Sequence, residues 1–211
     1  MSYKIVFIDE EKEQQEWFEE YFDSHKKDET SIISIFPGTS MEDMISTLDE
    51  QHPDAIIAFI HWGNEYQQQP NAEQRNLAQW LISQGVDHVI GGHPHVVQPI
   101  ELVPSPEHPT HHAIVYSLGN YVSNMSIPHG DVGLTVTLTL EKIAGTTRLK
   151  DIKHNLVWTE RAALSQSGNF RIIPSDTIPT DFTPEARHRM SRAISMEKDF
   201  LYKNNKFILK K

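Results

Sequence analysis

The sequence predicts an α/β fold, and three observations carry that reading. Two short apolar runs, Ala55–Ile60 and Val86–Ile90, do not alternate and are rich in β-branched residues, as strands buried on both faces are. Each run follows a stretch of helical period, so helix and strand alternate and a parallel pair with a right-handed crossover is expected. Each run also stops abruptly, the first at His61 and the second at Gly91-Gly92-His93-Pro94-His95. Ligands and catalytic groups in open α/β sheets collect at the carboxyl ends of the strands. His61, His93 and His95 are therefore the first candidates for chemistry.

In chain order, Tyr3–Ile8 reads as a buried strand. Residues 10–22 read as an acidic helix in which Trp17, Phe18, Tyr21 and Phe22 form one apolar face. Ser31–Phe36 is a short strand closed by Pro37-Gly38. Ser40-Met41-Glu42-Asp43 resembles a capping box, and Met41, Met44, Ile45 and Leu48 carry the helical period onward until Pro53 stops it. The next helix, 71–84, has Asn71 placed to accept from the backbone N–H of Gln74. Leu77, Ala78, Leu81 and Ile82 are its buried face, and Gly85 is its stop. After His95 the character turns to successive β segments, 96–103, 112–117, 133–140 and 146–158, the last two forming a hairpin about Gly145. Residues 161–181 read as loop. Thr183-Pro184 opens a final helix, 184–203, with a basic polar face. There is no internal repeat and no linker, so 1–211 is expected to be a single domain. Its motif-bearing core is 54–125, followed by C-terminal β segments at 133–158 and the closing helix.

A net charge of −10 over 211 residues argues against a nucleic-acid partner. With no cysteine, disulfides and thiolate-held zinc or iron–sulfur sites are excluded. No apolar run approaches the roughly 20 residues that span a bilayer. The N-terminus lacks the charged and apolar regions of a signal peptide, so none is expected.

His93-Pro94-His95 is an H-x-H pair. On an extended loop, residues i and i+2 point the same way, so both rings reach one ion or two neighbouring ions. His61 arrives from the adjacent strand about 4.8 Å away. Three imidazoles suit Zn, Fe, Mn or Ni, which lowers the pKa of bound water or polarises a phosphoryl oxygen. The competing reading is that these are solvated loop histidines. Glu65 is either a partner to a ligand histidine or an exposed carboxylate after a turn. Asn120, in Ser117-Leu118-Gly119-Asn120, is either a site residue at the sheet edge or a turn residue bonding its own backbone. Trp62, Tyr66 and Tyr121 read as packing residues, and Gly63, Gly91 and Gly92 as serving backbone geometry near the site.

Three segments together, His61-Trp-Gly-Asn-Glu65-Tyr66, Gly91-Gly-His-Pro-His95-Val-Val-Gln-Pro-Ile-Glu101 and Tyr116-Ser-Leu-Gly-Asn120-Tyr-Val122, closely resemble the CapA/PgsA family of bacterial capsule and poly-γ-glutamate synthesis proteins. That family is similar to calcineurin-type metallophosphoesterases. The resemblance therefore implies a mixed α/β sandwich flanked by helices, with a dinuclear divalent-metal centre at one sheet edge, of which this chain alone would supply a three-histidine part. It implies His61, His93 and His95 as metal ligands and Asn120 as a residue near the site; Asn120 and Glu65 are the catalytic candidates. It also implies that this chain corresponds to the C-terminal half of the family domain. The family's earlier Gly-Asp and Asn-Asn-His motifs have no counterpart before His61, and Asp9 lacks that signature.

The function so implied is a part in capsule or poly-γ-glutamate synthesis, as a metal-dependent hydrolase of phosphoester or amide bonds. Its partner would be an anionic polymer or a small-molecule substrate, and its place the cell envelope or the extracellular side. The alternative is a non-catalytic binding or assembly module without a dinuclear centre. An incomplete sheet edge would be covered by a second copy or by the missing N-terminal half.

Overall fold

A computed structural model describes residues 53–105 and 111–206, together with the backbone of two strands at 3–8 and 30–35. The helices expected at 10–22 and 40–51, and Asp9, lie outside the described residues.

The main sheet has six strands: β1 (Tyr3–Ile8), β2 (Thr30–Ile35), β3 (Ala55–His61), β4 (His88–Gly92), β5 (Ile100–Pro104) and β6 (His111–Val115). Their spatial order is β2-β1-β3-β4-β6-β5. All pair in parallel except β5, which runs antiparallel to β6 at one edge. The expected parallel pair is β3–β4, joined through α1 (Ala72–Ser83). Asn71 caps α1 as its sequence requires: its side chain accepts from the Gln74 N–H at 2.8 Å, and the Gln74 side chain accepts in return from the Asn71 N–H at 3.1 Å.

Alternate residues of β3 serve two cores, because successive side chains of a strand point to opposite faces. Ile56, Ala58 and Ile60 pack with Ala78 and Leu81 of α1, with Val89, and with Trp62 and Tyr116. Ile57 and Phe59 face the other way, toward Ile90, Ile100 and Val115. That second core is closed by an antiparallel sheet, β7 (Val132–Ile143), β8 (Thr146–Glu160) and β9 (Arg171–Pro174), and by α2 (Pro184–Asn204). Thr183 caps α2 by accepting from the Ala186 N–H at 3.0 Å, with Pro184 in its first turn.

Two sequence expectations are corrected. Residues 96–99 are not strand: β5 begins at Ile100, and Val97 keeps one isolated bridge, to Leu118. The reason is the turn that returns the chain from β4 to an antiparallel edge, with Pro99 just before β5 begins. The stretch 161–181 is not all loop, since Arg171–Pro174 forms β9. Four residues leave too short a period to read. The strand exists because Ile173 is buried beside Trp158 across the ladder.

β7 enters the molecule hard against the loop after β6. Gly119 and Gly133 form an antiparallel bridge, and a Cβ on Gly133 would lie 2.4 Å from the Asn120 carbonyl oxygen. Only glycine permits that approach. It sets the second sheet directly behind the segment that carries Asn120.

Candidate metal centre

All three histidines sit where parallel strands end. His61 is the last residue of β3 and pairs with Gly92, the last of β4. His93 follows immediately. The two outgoing loops are tied together by the Trp62 N–H, which donates to the Gly92 carbonyl at 3.3 Å, and by the Tyr66 N–H, which donates to the Pro94 carbonyl at 2.7 Å. Beneath them runs a chain of buried amides. Gln74 Nε2 donates to Gln98 Oε1 at 2.8 Å, and Gln98 Nε2 donates to the Gln67 carbonyl at 2.8 Å. Gly91 lets β4 pass this close, since a Cβ there would meet the Trp62 Nε1 and the Tyr116 carbonyl oxygen at 2.2 Å each.

The His-Pro-His geometry differs from the expected extended loop. His93 has φ 91° and His95 φ 59°, both left-handed. Residues with a Cβ hold such conformations at a cost of about 1–3 kcal/mol each, and they cluster at functional sites. Pro94 disfavours right-handed helical backbone at His93. The rings therefore converge through a turn and not through strand pleating. The His93 and His95 centroids are 6.0 Å apart with planes at 52°.

Nε2 of His61 and Nδ1 of His93 face each other at 2.5 Å, with ring centroids 4.3 Å apart. Only a shared proton or a cation reconciles two imidazole nitrogens in that arrangement. His95 has a defined tautomer. Asn120 Nδ2 donates to the Gly130 carbonyl at 2.9 Å, which turns Asn120 Oδ1 toward His95 Nδ1 at 3.0 Å. Oδ1 can only accept, so Nδ1 carries a proton, and in the neutral ring the lone pair is then on Nε2. That lone pair faces Glu65 Oε1 at 3.5 Å. With a neutral ring these are two acceptors that a cation would share, and with a protonated ring they form an ion pair. Ligand atoms of Glu65, His93 and His95 all lie within 4.8 Å of one another, and His61 joins through His93. Tetrahedral zinc holds nitrogen ligands about 3.4 Å apart, between the two spacings seen here. The donor set therefore fits a divalent ion after small side-chain rotations.

Glu65 is thus on the ligand face of His95 and not behind a ring, and it is exposed. Asn120 lies behind His95, on its Nδ1 side. Trp62 packs as expected, buried, with its indole N–H donating to the Tyr116 carbonyl at 2.8 Å. Tyr66 stacks on His95 at 6.0 Å between centroids, and desolvation together with the neighbouring Glu65 carboxylate raises its phenol pKa. Tyr121 is corrected: it is 57 % exposed and not a core residue, because the close Gly119–Gly133 approach leaves the following side chain on the outside. Gly92 is likewise not demanded by packing, since a Cβ there meets nothing within 4 Å.

One polar cluster escaped the sequence. Glu197 of α2 is buried, and both its oxygens accept from Gln68 Nε2, at 3.2 and 3.0 Å. His129 Nδ1 lies 2.5 Å from Glu197 Oε1. Burial raises the Glu197 carboxyl pKa, and the His129 contact opposes that rise. The partners are 129 and 68 residues away in sequence, a separation at which no spacing rule applies.

Residues 1–125 match the family described as bacterial capsule synthesis protein PGA_cap, and the chain belongs to that family. It is 41 % identical over 73 residues to the PGA biosynthesis protein CapA of Bacillus subtilis (strain 168), a match covering 35 % of this chain and 18 % of that protein. It is 30 % identical over 98 residues to the capsule biosynthesis protein CapA of Bacillus anthracis, covering 46 % and 22 %. The matched part is thus about a fifth of each relative's length. Among solved structures, the calcineurin-like phosphoesterase YfkN from Bacillus subtilis is similar at 20 % identity, over 76 % of this chain and 43 % of that one, with a TM-score of 0.31. The family match contains every residue of the His61–His93–His95 cluster.

Proposed function

We propose that this chain is a metal-binding member of the capsule synthesis family, acting as a hydrolase of phosphoester or amide bonds on an anionic polymer or its precursor. The convergence of His61, His93, His95 and Glu65 at the carboxyl ends of β3 and β4 carries the reading. A divalent ion held by these groups would supply Lewis acidity and activate water near neutral pH. The chain's own contributions are local. His61 and His93 present facing nitrogens. Asn120 fixes the His95 proton on Nδ1. Tyr66 covers one face of that ring. Glu65, being exposed, is placed to take a proton from an attacking water or to close the ligand set. Envelope location follows by analogy with the relatives' roles in capsule biosynthesis, and no helix among the described residues is long and apolar enough to cross a membrane. Metal-loaded protein is expected to hydrolyse bis(p-nitrophenyl) phosphate or a γ-glutamyl anilide, and to lose the activity in a His93→Ala variant. Equal rates in the two proteins would sink the reading.

A second reading is favoured by one observation: the candidate ligand cluster includes a single carboxylate, Glu65, among the described residues. A site that binds metal without turnover would make the chain an assembly module. Its sheet edge at β2 would then be covered by a second copy or by a separate N-terminal segment. Light scattering that shows a monodisperse monomer at high concentration would count against the self-pairing form of this reading.

A further inference from the structure

We propose that Glu197 is a positioning residue of the metal edge: from α2 it holds, through Gln68 and His129, both loops that flank His95. The inference rests in part on the metal reading above and adds a residue far outside the segment that matches the family.

His95 is held on two sides. Glu65 faces its Nε2, and Asn120 bonds its Nδ1. Each of these neighbours sits on a loop that Glu197 anchors. Gln68 is three residues beyond Glu65 in the loop between β3 and α1, and its amide donates to both Glu197 oxygens at 3.2 and 3.0 Å. His129 immediately precedes Gly130, whose carbonyl accepts from Asn120 Nδ2 at 2.9 Å. His129 is itself left-handed, φ 66°, a conformation that needs an external hold. The short contact to Glu197 supplies it. Moving that carboxylate would therefore shift the Gly130 carbonyl, free the Asn120 amide to turn, and release the proton from His95 Nδ1.

A purely structural staple would not need this chemistry. Glu197 is 1 % exposed on a helix whose other buried residues include Met190, Ile194 and Leu201. Burying a carboxylate costs several kcal/mol unless its oxygens are bonded. An apolar side chain would fill the position more cheaply. Among the described residues, the carboxylate's bonds reach only the two loops of the metal edge.

The test compares the 211-residue chain with Glu197→Gln, Gln68→Ala and Ile194→Ala variants. Ile194 is buried on the same helix and packs only in the second core, so it reports loss of helix packing alone. Gln68→Ala breaks one arm at a half-buried loop position and remains informative should the buried substitution not fold. Two readouts are needed: the His95 tautomer, from long-range 15N imidazole spectra of metal-free protein at alkaline pH, and cobalt(II) affinity, from the visible absorption of the bound ion. In the wild-type chain His95 is expected as the Nδ1–H tautomer. Glu197→Gln and Gln68→Ala should convert it to a mixture and weaken cobalt binding by up to about tenfold, the lower end of the range seen when partners behind metal ligands are removed. Ile194→Ala should lower the melting temperature and leave both readouts unchanged. An unchanged His95 tautomer in both loop-link variants, or an equal change in Ile194→Ala, would overturn the proposal. A wild-type chain that takes up no cobalt would defeat the proposed function instead, and the tautomer comparison alone would then decide this inference.

Discussion

Histidines stand at both ends of the β3–β4 pair, and they do opposite work. At its amino end His88 is 3 % exposed, and its Nδ1 accepts from the Ala113 N–H at 3.1 Å. His112 beside it bonds the Asp87 carbonyl at 2.9 Å, and Asp87 Oδ2 accepts from the Ile56 N–H at 2.8 Å. These groups complete the backbone bonding of the strand ends. At the carboxyl end, His61, His93 and His95 are half-buried, two of them are left-handed, and their nitrogens face one another or a carboxylate. The difference teaches that residue type does not assign a role in this sheet. A histidine buried at the amino end serves as a neutral acceptor within the fold. A histidine on the strand-end loops is turned toward a common point shared with the other two and with a carboxylate.

The contrast can be broken first at its buried end. Burial, and secondarily the neighbouring His112, lower the His88 pKa to about 4 from an ordinary 6.5. A depressed folded-state value means that its contribution is fully present above pH 6.5 and is lost as pH falls from there toward 4. The difference corresponds to about 3 kcal/mol of stability. Urea unfolding at pH 7, 5.5 and 4 should show this loss in the wild-type chain and a much flatter profile in His88→Asn, whose side-chain oxygen can still accept from Ala113. A wild-type slope that persists in the variant would place the acid sensitivity elsewhere.

Next in size is the middle of the same strand end. Gly91→Ala inserts a methyl group against the Trp62 indole nitrogen and the Tyr116 carbonyl oxygen. Overpacking of this kind costs about 1–3 kcal/mol, so the melting temperature should fall by several degrees. Gly92→Ala, which meets nothing, is expected to be nearly neutral and serves as the matched control.

The smallest of these effects sharpens the carboxyl end. Asn120→Ala removes the acceptor that keeps the His95 proton on Nδ1. Divalent-metal affinity in equilibrium dialysis should drop about tenfold, with a smaller fall in stability than for Gly91→Ala. An unchanged affinity would leave Asn120 as no more than a turn residue.

Much of this was legible in the sequence for identifiable reasons. The apolar runs at 55–60 and 86–90 were strong enough to place β3 and β4, and the abrupt histidines after them placed the edge. Asn71 and Thr183 announced two helix starts because capping is local chemistry. The loop geometry was less accessible. H-x-H on an extended chain and H-x-H in a left-handed turn bring the rings together by different routes, and only the backbone tells them apart. β9 was missed because four residues carry no period, and its stability comes from Trp158 and Ile173 meeting across the ladder. The Glu197–His129–Gln68 cluster was illegible for a deeper reason. Its members are brought together by the packing of α2, and nothing near any one of them in sequence marks the others.

The carboxyl-end histidines are proposed to form one cation site. The direct measurement is metal content by mass spectrometry after chelator stripping, reloading with Mn, Fe, Zn or Ni and exhaustive dialysis, on tag-free wild-type protein beside a His61→Ala/His93→Ala double variant. Near-stoichiometric metal is expected in the wild-type chain and background levels in the variant. Background levels in both proteins, or equal retention by both, would contradict the proposal.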